Sequence, residues 1–308
     1  MPTALLDTPR AKSALFALVF APAGLALLGS SMADIQAQTA IGLPLSSVEG
    51  MISLGLAAIL IALVSANCEE SSAGMFVTAA ASVFIGVAQY NGHLRIPLLQ
   101  ATFIDAGDMR AAIGWSLYPF AVTVITSCAA IALHRARHPR PRDPRKGAHA
   151  LVHHRHAWGA IACLPAALGA IILITAAAPE DTSNVPAQGL SALSASQPDA
   201  FIMGAIAALL LGSVALMSPF SLTGPQAAAW FLMAMPSYML WPLWTSITGT
   251  VVTPGPSALT SASLAAPVVA ALGLLLGAST LGVYWARMRE ARDDGDAANA
   301  ADSRLPVG

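Results

Sequence analysis

Long uncharged apolar segments alternate with short polar segments along the whole chain. Eight of the apolar segments are each close to the roughly 20 residues that a helix needs to cross about 30 Å of hydrocarbon. They cover residues 13–31, 50–68, 73–90, 112–133, 157–178, 200–218, 226–246 and 264–285, and none contains Asp, Glu, Lys, Arg or His. The pattern therefore predicts an all-α integral membrane protein with eight transmembrane helices.

The first apolar segment has two interpretations. Its end, Ser31-Met32-Ala33, carries the small residues that a signal peptidase accepts. The uncharged run of residues 13–31 is, however, longer than the roughly 7 to 15 apolar residues of a typical signal peptide. Because Pro22-Ala23 in this segment matches the internal Pro165-Ala166, we interpret it as a retained first helix.

The second half of the chain resembles the first half at an offset of 150 residues. The matches include Leu43 with Leu193, Ile52 with Ile202, Ala57 with Ala207, Val64 with Val214, Ser71 with Ser221, Gly74 with Gly224 and Ala79 with Ala229. Chance matches are common in apolar sequence, and a duplication is the interpretation that we favour. Since each half contains four spans, an even number, the two units share one orientation, as in transporters built from parallel repeats.

The repeat divides the chain into four parts. Residues 1–133 form the first four-helix membrane unit, and residues 134–156 form a basic linker. Residues 157–286 form the second unit. The tail of residues 287–308 is polar and rich in both charges and in small residues, a composition typical of disorder.

The distribution of bases predicts the orientation. Of the 15 Lys and Arg residues, all except Arg95 and Arg110 fall on segments that are cytoplasmic when the amino terminus is inside. The inverted topology would place those 13 bases outside, against the excess of bases that cytoplasmic loops carry. We therefore expect both termini in the cytoplasm of a bacterium and the chain in its plasma (inner) membrane.

Composition agrees with the hydropathy pattern. Hydrophobic residues make up 56% of the chain and charged residues 10%, with a mean hydropathy of +0.66, whereas about a quarter of the residues in a soluble domain are charged. The cysteines, Cys68, Cys128 and Cys163, lie near predicted cytoplasmic ends of spans, so we expect reduced thiols. No two of them have Cys-x-x-Cys spacing, and we expect no metal site and no cofactor.

The basic linker is one of two places that collect polar groups. We expect its bases to contact anionic lipid headgroups, at roughly 1 kcal/mol for each base near the surface. These are Arg135, Arg137, Arg140, Arg142, Arg145 and Lys146. A metal site at His153 and His156 is the less favoured alternative, because no thiol or acidic residue accompanies them. We expect no nucleic-acid partner, whereas a protein partner or a homo-oligomer is compatible with the sequence.

The outer segment of residues 90–112 is the second part of the chain that collects polar groups. The equivalent segment of the second half, residues 240–262, contains no ionisable residue, so the two halves diverge here. We predict an extracytoplasmic site formed by His93, Arg95, Asp105 and Asp108. The structural alternative is that Asp108 caps the fourth span and that the arginines form surface ion pairs, which contribute little to stability.

Two classes of function remain. The first is a membrane component without enzymatic activity, either a translocator of small solutes or lipids or an accessory subunit of a membrane assembly. The second is a membrane enzyme acting at the outer face through residues 90–112, with His93 and Asp105 as acid and base. Nucleotide-binding loops and HExxH or GxSxG motifs do not occur in the sequence, which favours the first class. An ion-coupled transporter is disfavoured because the predicted spans lack ionisable residues.

Overall fold

The computed structural model describes residues 8–43, 47–96, 105–138, 155–193, 199–234 and 255–302. The regular structure of these residues is helical. The helices are α1 Pro9–Ala40, α2 Val48–Ala66, α3 Ala73–Tyr90, α4 Ala106–Gly114, α5 Tyr118–Arg137, α6 Arg155–Ala177, α7 Val185–Gln188, α8 Ala200–Leu216, α9 Thr223–Ala234 and α10 Ala258–Asp302, with a 3₁₀ turn at Leu190–Leu193. The end of the bundle that holds α4, α7 and the 3₁₀ turn is named the outer end here, after the predicted orientation.

Within the described ranges, six helices are long and apolar enough to cross a membrane. They are Pro9–Ala40, Val48–Ala66, Ala73–Tyr90, Tyr118–Arg137, His156–Ala177 and Ala258–Arg289. The predicted sixth span coincides with α8, a shorter apolar helix. The predicted seventh span begins in α9, and its second half lies outside the described residues. The chain is thus an all-α, multi-pass membrane protein.

Helix α1 extends further than the sequence predicts. The uncharged run ends at Ser31, but the helix continues to Ala40 because Met32 and Ile35 are buried among the neighbouring helices. The predicted boundary is therefore wrong. This extension adds Asp34, only 3% exposed, to the helix that contains the first apolar segment.

The predicted fourth span consists of two helices. Helix α4 ends at Gly114, and Leu117 in the turn that follows has a φ of 49°, in the left-handed region that residues other than glycine rarely adopt. Pro119 lies in the first turn of α5, where a proline costs no backbone hydrogen bond. A break at residues 115–117 therefore divides the predicted fourth span.

The two halves of the chain follow the same packing plan. In the first half, α1 packs against α2 and α3, and α3 packs against α5. In the second half, α6 packs against α8 and α9, and α9 packs against α10. Between the halves, α2 contacts α10, α8 contacts α5, and α5 also contacts α10. Among the described residues, the main hydrophobic core runs through both halves, and a small separate cluster forms around Ala17, Ala21 and Val64.

Small residues on α8 allow its close approach to α5. A Cβ atom on Gly204 would lie 3.0 Å from the carbonyl oxygen of Ser116, and one on Gly212 would press against Val124. Such stripes of small residues let helix backbones pack closely in membranes. The stripe on α8 therefore serves packing within the chain.

Helix α10 remains helical through residues 287–302, where the composition predicts disorder. The start of this extension is tied to two loops of the bundle. Arg287 donates a hydrogen bond to the carbonyl oxygen of Pro219, and Arg289 lies 2.7 Å from a carboxylate oxygen of Glu70. Alanine and the charged residues of this segment are compatible with a helix.

Candidate functional site at the outer end

Two of the predicted site residues, Asp105 and Asp108, build the start of α4. The Asp108 N–H donates to Oδ1 of Asp105 at 2.7 Å, and the Asp105 N–H donates to Oδ2 of Asp108 at 3.4 Å. This reciprocal pair is a capping box. Asp105 is therefore the residue at the N-cap, whereas the sequence suggests Asp108 for that position. Both carboxylates accept backbone hydrogen bonds and stabilise the helix.

Asp108 also connects α4 to the second half of the chain. Its Oδ1 accepts a hydrogen bond from the Ser191 N–H at 2.9 Å. Next to it, Gly189 has a φ of 71°, and a Cβ atom there would lie 2.6 Å from Oδ1 of Asp108. A glycine at 189 thus allows the 3₁₀ turn to approach the carboxylate. Asp108 holds the outer ends of the two halves together.

The other two predicted residues, His93 and Arg95, are exposed in the loop after α3. The His93 N–H donates to the Ala88 carbonyl oxygen at 2.9 Å, which closes the end of the helix. In the part of the chain that the structure describes, no hydrogen bond or ion pair joins His93 to Asp105. The acid and base expected for an enzyme are therefore not paired with each other.

Arg110, which the prediction left out of the site, occupies a central position. Its Nε donates to the carbonyl oxygen of Tyr90 at 3.3 Å, and its Cζ lies 5.9 Å from the centre of the Tyr90 ring. This geometry is a cation–π contact across the outer ends of α3 and α4. Over the described ranges, no carboxylate oxygen lies within 4 Å of the guanidinium. An exposed positive charge thus stands at the outer end without an ion-pair partner.

A cavity of about 450 Å³ opens beside Arg110. Both halves of the chain line it, because α3 and α4 form one side and the 3₁₀ turn forms the other. The lining residues are Tyr90, Gly107, Arg110, Ala111, Gly114, Trp115, Ser191 and Leu193. On α4, residues 107, 111 and 114 are small and share a face with Arg110. This spacing of small residues around an arginine is the sequence signal that could have identified the cavity.

A second cavity, of about 360 Å³, is a groove between α3 and α5. Its lining is mostly apolar and includes Val83, Val87, Ile113, Leu117 and Phe120. Three of these side chains, those of Val83, Val87 and Phe120, are more than two-fifths exposed. In a membrane such exposed apolar side chains contact lipid, so the groove opens sideways into the hydrocarbon.

The cavity and the groove are neighbours. Tyr90 and Gly114 line both of them. A Cβ atom on Gly114 would meet only the Tyr90 ring, at 3.7 Å, which is an ordinary contact distance. The positively charged cavity and the apolar groove therefore lie side by side at Tyr90 and Gly114.

At the opposite end of the bundle, Arg135 and Arg137 lie in the last turn of α5. Arg135 is exposed, and Arg137 is half-buried. The other predicted lipid contacts, Arg140, Arg142, Arg145 and Lys146, lie outside the described residues.

The thiols and the potential metal ligands lie apart from this site. Burial raises the pKa of the Cys68 thiol, whose sulfur lies 3.3 Å from Oγ of Ser13. Among the residues with described positions, no group of three His, Cys, Asp or Glu side chains could hold a metal ion. The cavity at Arg110 is lined by one guanidinium, by the side chains of Tyr90, Trp115 and Ser191, and by small and apolar residues.

Comparison with known proteins gives no relative for this chain. No family model, no curated protein and no solved structure matches it.

Proposed function

We propose that this multi-pass membrane protein is a lipid translocator whose substrates are anionic lipids, and that the cavity at Arg110 is its outer binding site. One observation supports this function above all: the positively charged cavity and the apolar groove share Tyr90 and Gly114. A ligand that fills both must be amphiphilic, with a negatively charged head and a hydrocarbon chain.

The chemistry of the lining suits a phospholipid. The Arg110 guanidinium can donate paired hydrogen bonds to a phosphate, a geometry that arginine provides better than lysine. Tyr90 stands at the level where aromatic residues prefer the membrane interface. The groove between α3 and α5 then takes an acyl chain among Val83, Val87 and Phe120. Each part of the ligand thus meets a surface of matching polarity.

An arrangement of two tandem four-helix units in parallel orientation is part of this proposal. Helices α2 and α8 end at Ala66 and Leu216, and helices α3 and α9 begin at Ala73 and Thr223, so both boundaries repeat at the sequence offset of 150. The contacts of α2 with α10 and of α8 with α5 are reciprocal across the two halves. Both features favour a duplication with eight spans and a twofold axis along the membrane normal.

The proposed location is a bacterial plasma membrane, with both termini in the cytoplasm. The asymmetry of Lys and Arg supports this orientation. Arg135 and Arg137, together with the bases of the linker, would then contact anionic headgroups of the inner leaflet.

The enzyme alternative has less support. Asp105 and Asp108 already accept backbone hydrogen bonds from each other, and Asp108 accepts a further one from Ser191. A carboxylate with these donors is poorly suited to take a proton from a substrate. His93 is exposed in the loop and lines neither the cavity nor the groove.

The experiment that tests this function is a lipid-movement assay in proteoliposomes. Fluorescent phosphatidylglycerol and phosphatidylcholine are each reconstituted with the protein, and dithionite then quenches the fluorophores that reach the outer leaflet. We expect faster movement than in protein-free liposomes and a preference for the anionic lipid. The same rates with and without protein would contradict the function, and equal rates for both lipids would contradict the role of Arg110.

Three variants test the role of Arg110 in this assay. Arg110→Gln removes the charge, and the preference for phosphatidylglycerol should fall about tenfold to a hundredfold, since hydrogen bonds to charged groups contribute about 1.5 to 3 kcal/mol. Arg95→Gln removes the other outer arginine, which lines neither the cavity nor the groove, and should keep the preference. Arg110→Lys should restore part of the preference for phosphatidylglycerol.

A stable protein partner that co-purifies and suppresses the activity would instead favour an accessory subunit.

A further inference from the structure

Asp34 is a buried carboxyl group at the outer end of α1, away from the lipid site. Its side chain is 3% exposed. The hydroxyl of Ser47, the residue before α2, donates a hydrogen bond to its Oδ2. On the first turn of α2, a Cβ atom on Gly50 would press against the Ser47 hydroxyl and lie 3.1 Å from Oδ2. The glycine thus allows α2 to pack directly against the carboxyl group.

The other oxygen of this carboxyl group has no partner. Oδ1 of Asp34 is buried and makes no hydrogen bond, and the same holds for Oγ of Ser31. Residues three apart on a helix lie on the same face, with their Cβ atoms about 5 to 6 Å apart. The two uncommitted oxygens therefore lie near each other in the interior.

The surrounding charges do not balance an ionised Asp34. No Lys, Arg or His of the described ranges lies within 4 Å of its carboxyl group. Glu49, in the first turn of α2, has the same sign of charge and disfavours an ionised Asp34. Helix α3 and residues 258–285 of α10 contain no ionisable acid or base, apart from the tyrosines. The fourth neighbour is α4. Its Asp108 bonds to Ser191 and to Asp105 at the N-cap, and its Arg110 bonds to Tyr90.

An ionised carboxylate in such surroundings is unfavourable. Burying an unpaired charge in an apolar environment costs far more than burying a neutral polar group, and the usual result is that the group becomes neutral. Ionisable residues that do occur in membrane helices commonly mark proton or ion pathways.

We propose that Asp34 is a proton-binding site: its Oδ1 takes up one proton from the outer aqueous phase, and the carboxylate becomes a neutral carboxylic acid. A proton needs a single oxygen, and Oδ1 is the oxygen of this carboxyl group that no described donor occupies. A divalent metal ion would need about six or more oxygen ligands. The described interior offers too few uncommitted oxygens for that alternative.

The test uses dicyclohexylcarbodiimide, an apolar reagent that reacts with protonated carboxyl groups. The purified full chain in nanodiscs is treated at neutral pH, digested and mapped by mass spectrometry. We expect an adduct on Asp34, because a carboxyl group with the usual pKa of about 4 would be ionised under these conditions and would not react. The yield should fall reversibly as the pH is raised, and sodium and calcium ions should not protect the residue.

Three results would overturn the proposal. They are the absence of an adduct on Asp34 at every pH, a yield that does not change with pH, and saturable protection by sodium or calcium. Because the mapping is done on the unmodified chain, it does not depend on the folding of a variant. Glu49→Gln removes the like charge on α2. The adduct on Asp34 should remain at neutral pH, and its yield should begin to fall at a somewhat lower pH than in the unmodified chain. In Asp34→Asn the adduct at position 34 should be lost. Lipid movement is measured separately, so failure of the translocator function leaves this test intact.

Discussion

The carboxylate of Asp108 accepts the backbone N–H of Ser191 at 2.9 Å and thereby joins the outer ends of the two halves of the chain. This bond fixes the 3₁₀ turn against α4, and the cavity at Arg110 lies between them. A residue that the sequence suggests as part of an extracytoplasmic site thus has a structural role, because it holds in place the 3₁₀ turn that forms one wall of the cavity.

The first prediction concerns this bond. Asp108→Ala removes both the capping-box partner and the acceptor for Ser191, and should lower the free energy of unfolding by about 1 to 2 kcal/mol. Asp105→Ala removes only the cap and should cost about 0.5 to 2 kcal/mol while keeping the cavity. Thermal unfolding in detergent, combined with the lipid-movement assay, distinguishes the Asp108→Ala variant from the Asp105→Ala variant. A normal lipid preference in Asp108→Ala would argue against the role of Ser191 in shaping the site.

The second prediction concerns two glycines that repeat at the offset of 150. A Cβ atom on Gly74 would lie 2.8 Å from the carbonyl oxygen of Ser13, and one on Gly224 would lie 2.5 Å from that of Gly159. Both Gly74→Ala and Gly224→Ala should therefore lower the melting temperature, with an overpacking cost of about 1 to 3 kcal/mol.

The matched control for these glycines is Gly55 on α2, where a Cβ atom would meet nothing within 4 Å. Gly55→Ala should be neutral or stabilise the helix by up to about 1 kcal/mol, since alanine has the higher helix propensity. Equal changes in melting temperature for alanine at positions 55, 74 and 224 would mean that the close contacts of Gly74 with Ser13 and of Gly224 with Gly159 do not determine the packing.

The apolar pattern predicts most of the helices, because a segment that must cross hydrocarbon has to be both long and uncharged. It fails at the ends of segments. The uncharged run stops at Ser31, yet tertiary packing carries α1 on through Asp34. In the same way, the sequence around Pro119 predicts one continuous span. In the structure the chain breaks at Leu117, whose backbone is left-handed, and a new helix begins after it.

The sequence predicts only part of the candidate site. The divergence of residues 90–112 selects the segment that carries Arg110, and the capping alternative for Asp108 agrees with the capping box at the start of α4. The small residues around Arg110 on α4 are visible in the sequence, but the second wall of the cavity is not, because the 3₁₀ turn that forms it begins at Leu190, 80 residues after Arg110. Contacts over such separations leave no local pattern.

The third prediction concerns the contact between α10 and the loop before α3. Nη1 of Arg289 lies 2.7 Å from Glu70 and 3.4 Å from Glu69, and all three side chains are more than 40% exposed. Because exposed ion pairs contribute little, Arg289→Ala should change the free energy of unfolding by no more than about 1 kcal/mol. A double-mutant cycle with Glu70→Gln measures the coupling, and a coupling well above that value would show that the pair is part of a larger network.

The fourth prediction is topological and uses cysteines introduced at Ala148 and Ser194, which both lie outside the described residues. An impermeant thiol reagent added to intact cells should label position 194 and leave position 148 unlabelled, because the bases of the linker favour the cytoplasm. The native thiols provide a low background, since Cys68 and Cys163 are buried and Cys128 is half-buried. Labelling at 148 alone would invert the topology, and equal labelling in sealed cells would change the number of spans.

The most direct measurement of the central claim is photo-crosslinking with an anionic phospholipid that carries a photoactivatable group on its acyl chain. In nanodiscs, we expect crosslinks to concentrate on residues 82–91 and 113–123, the two walls of the groove. Arg110→Gln should weaken them, and Gly114→Leu should block the junction and abolish them, while Gly55→Leu on a different face should leave them unchanged. Crosslinks spread evenly over the lipid-facing helices, or unaffected by both Arg110→Gln and Gly114→Leu, would contradict a lipid site at the outer end.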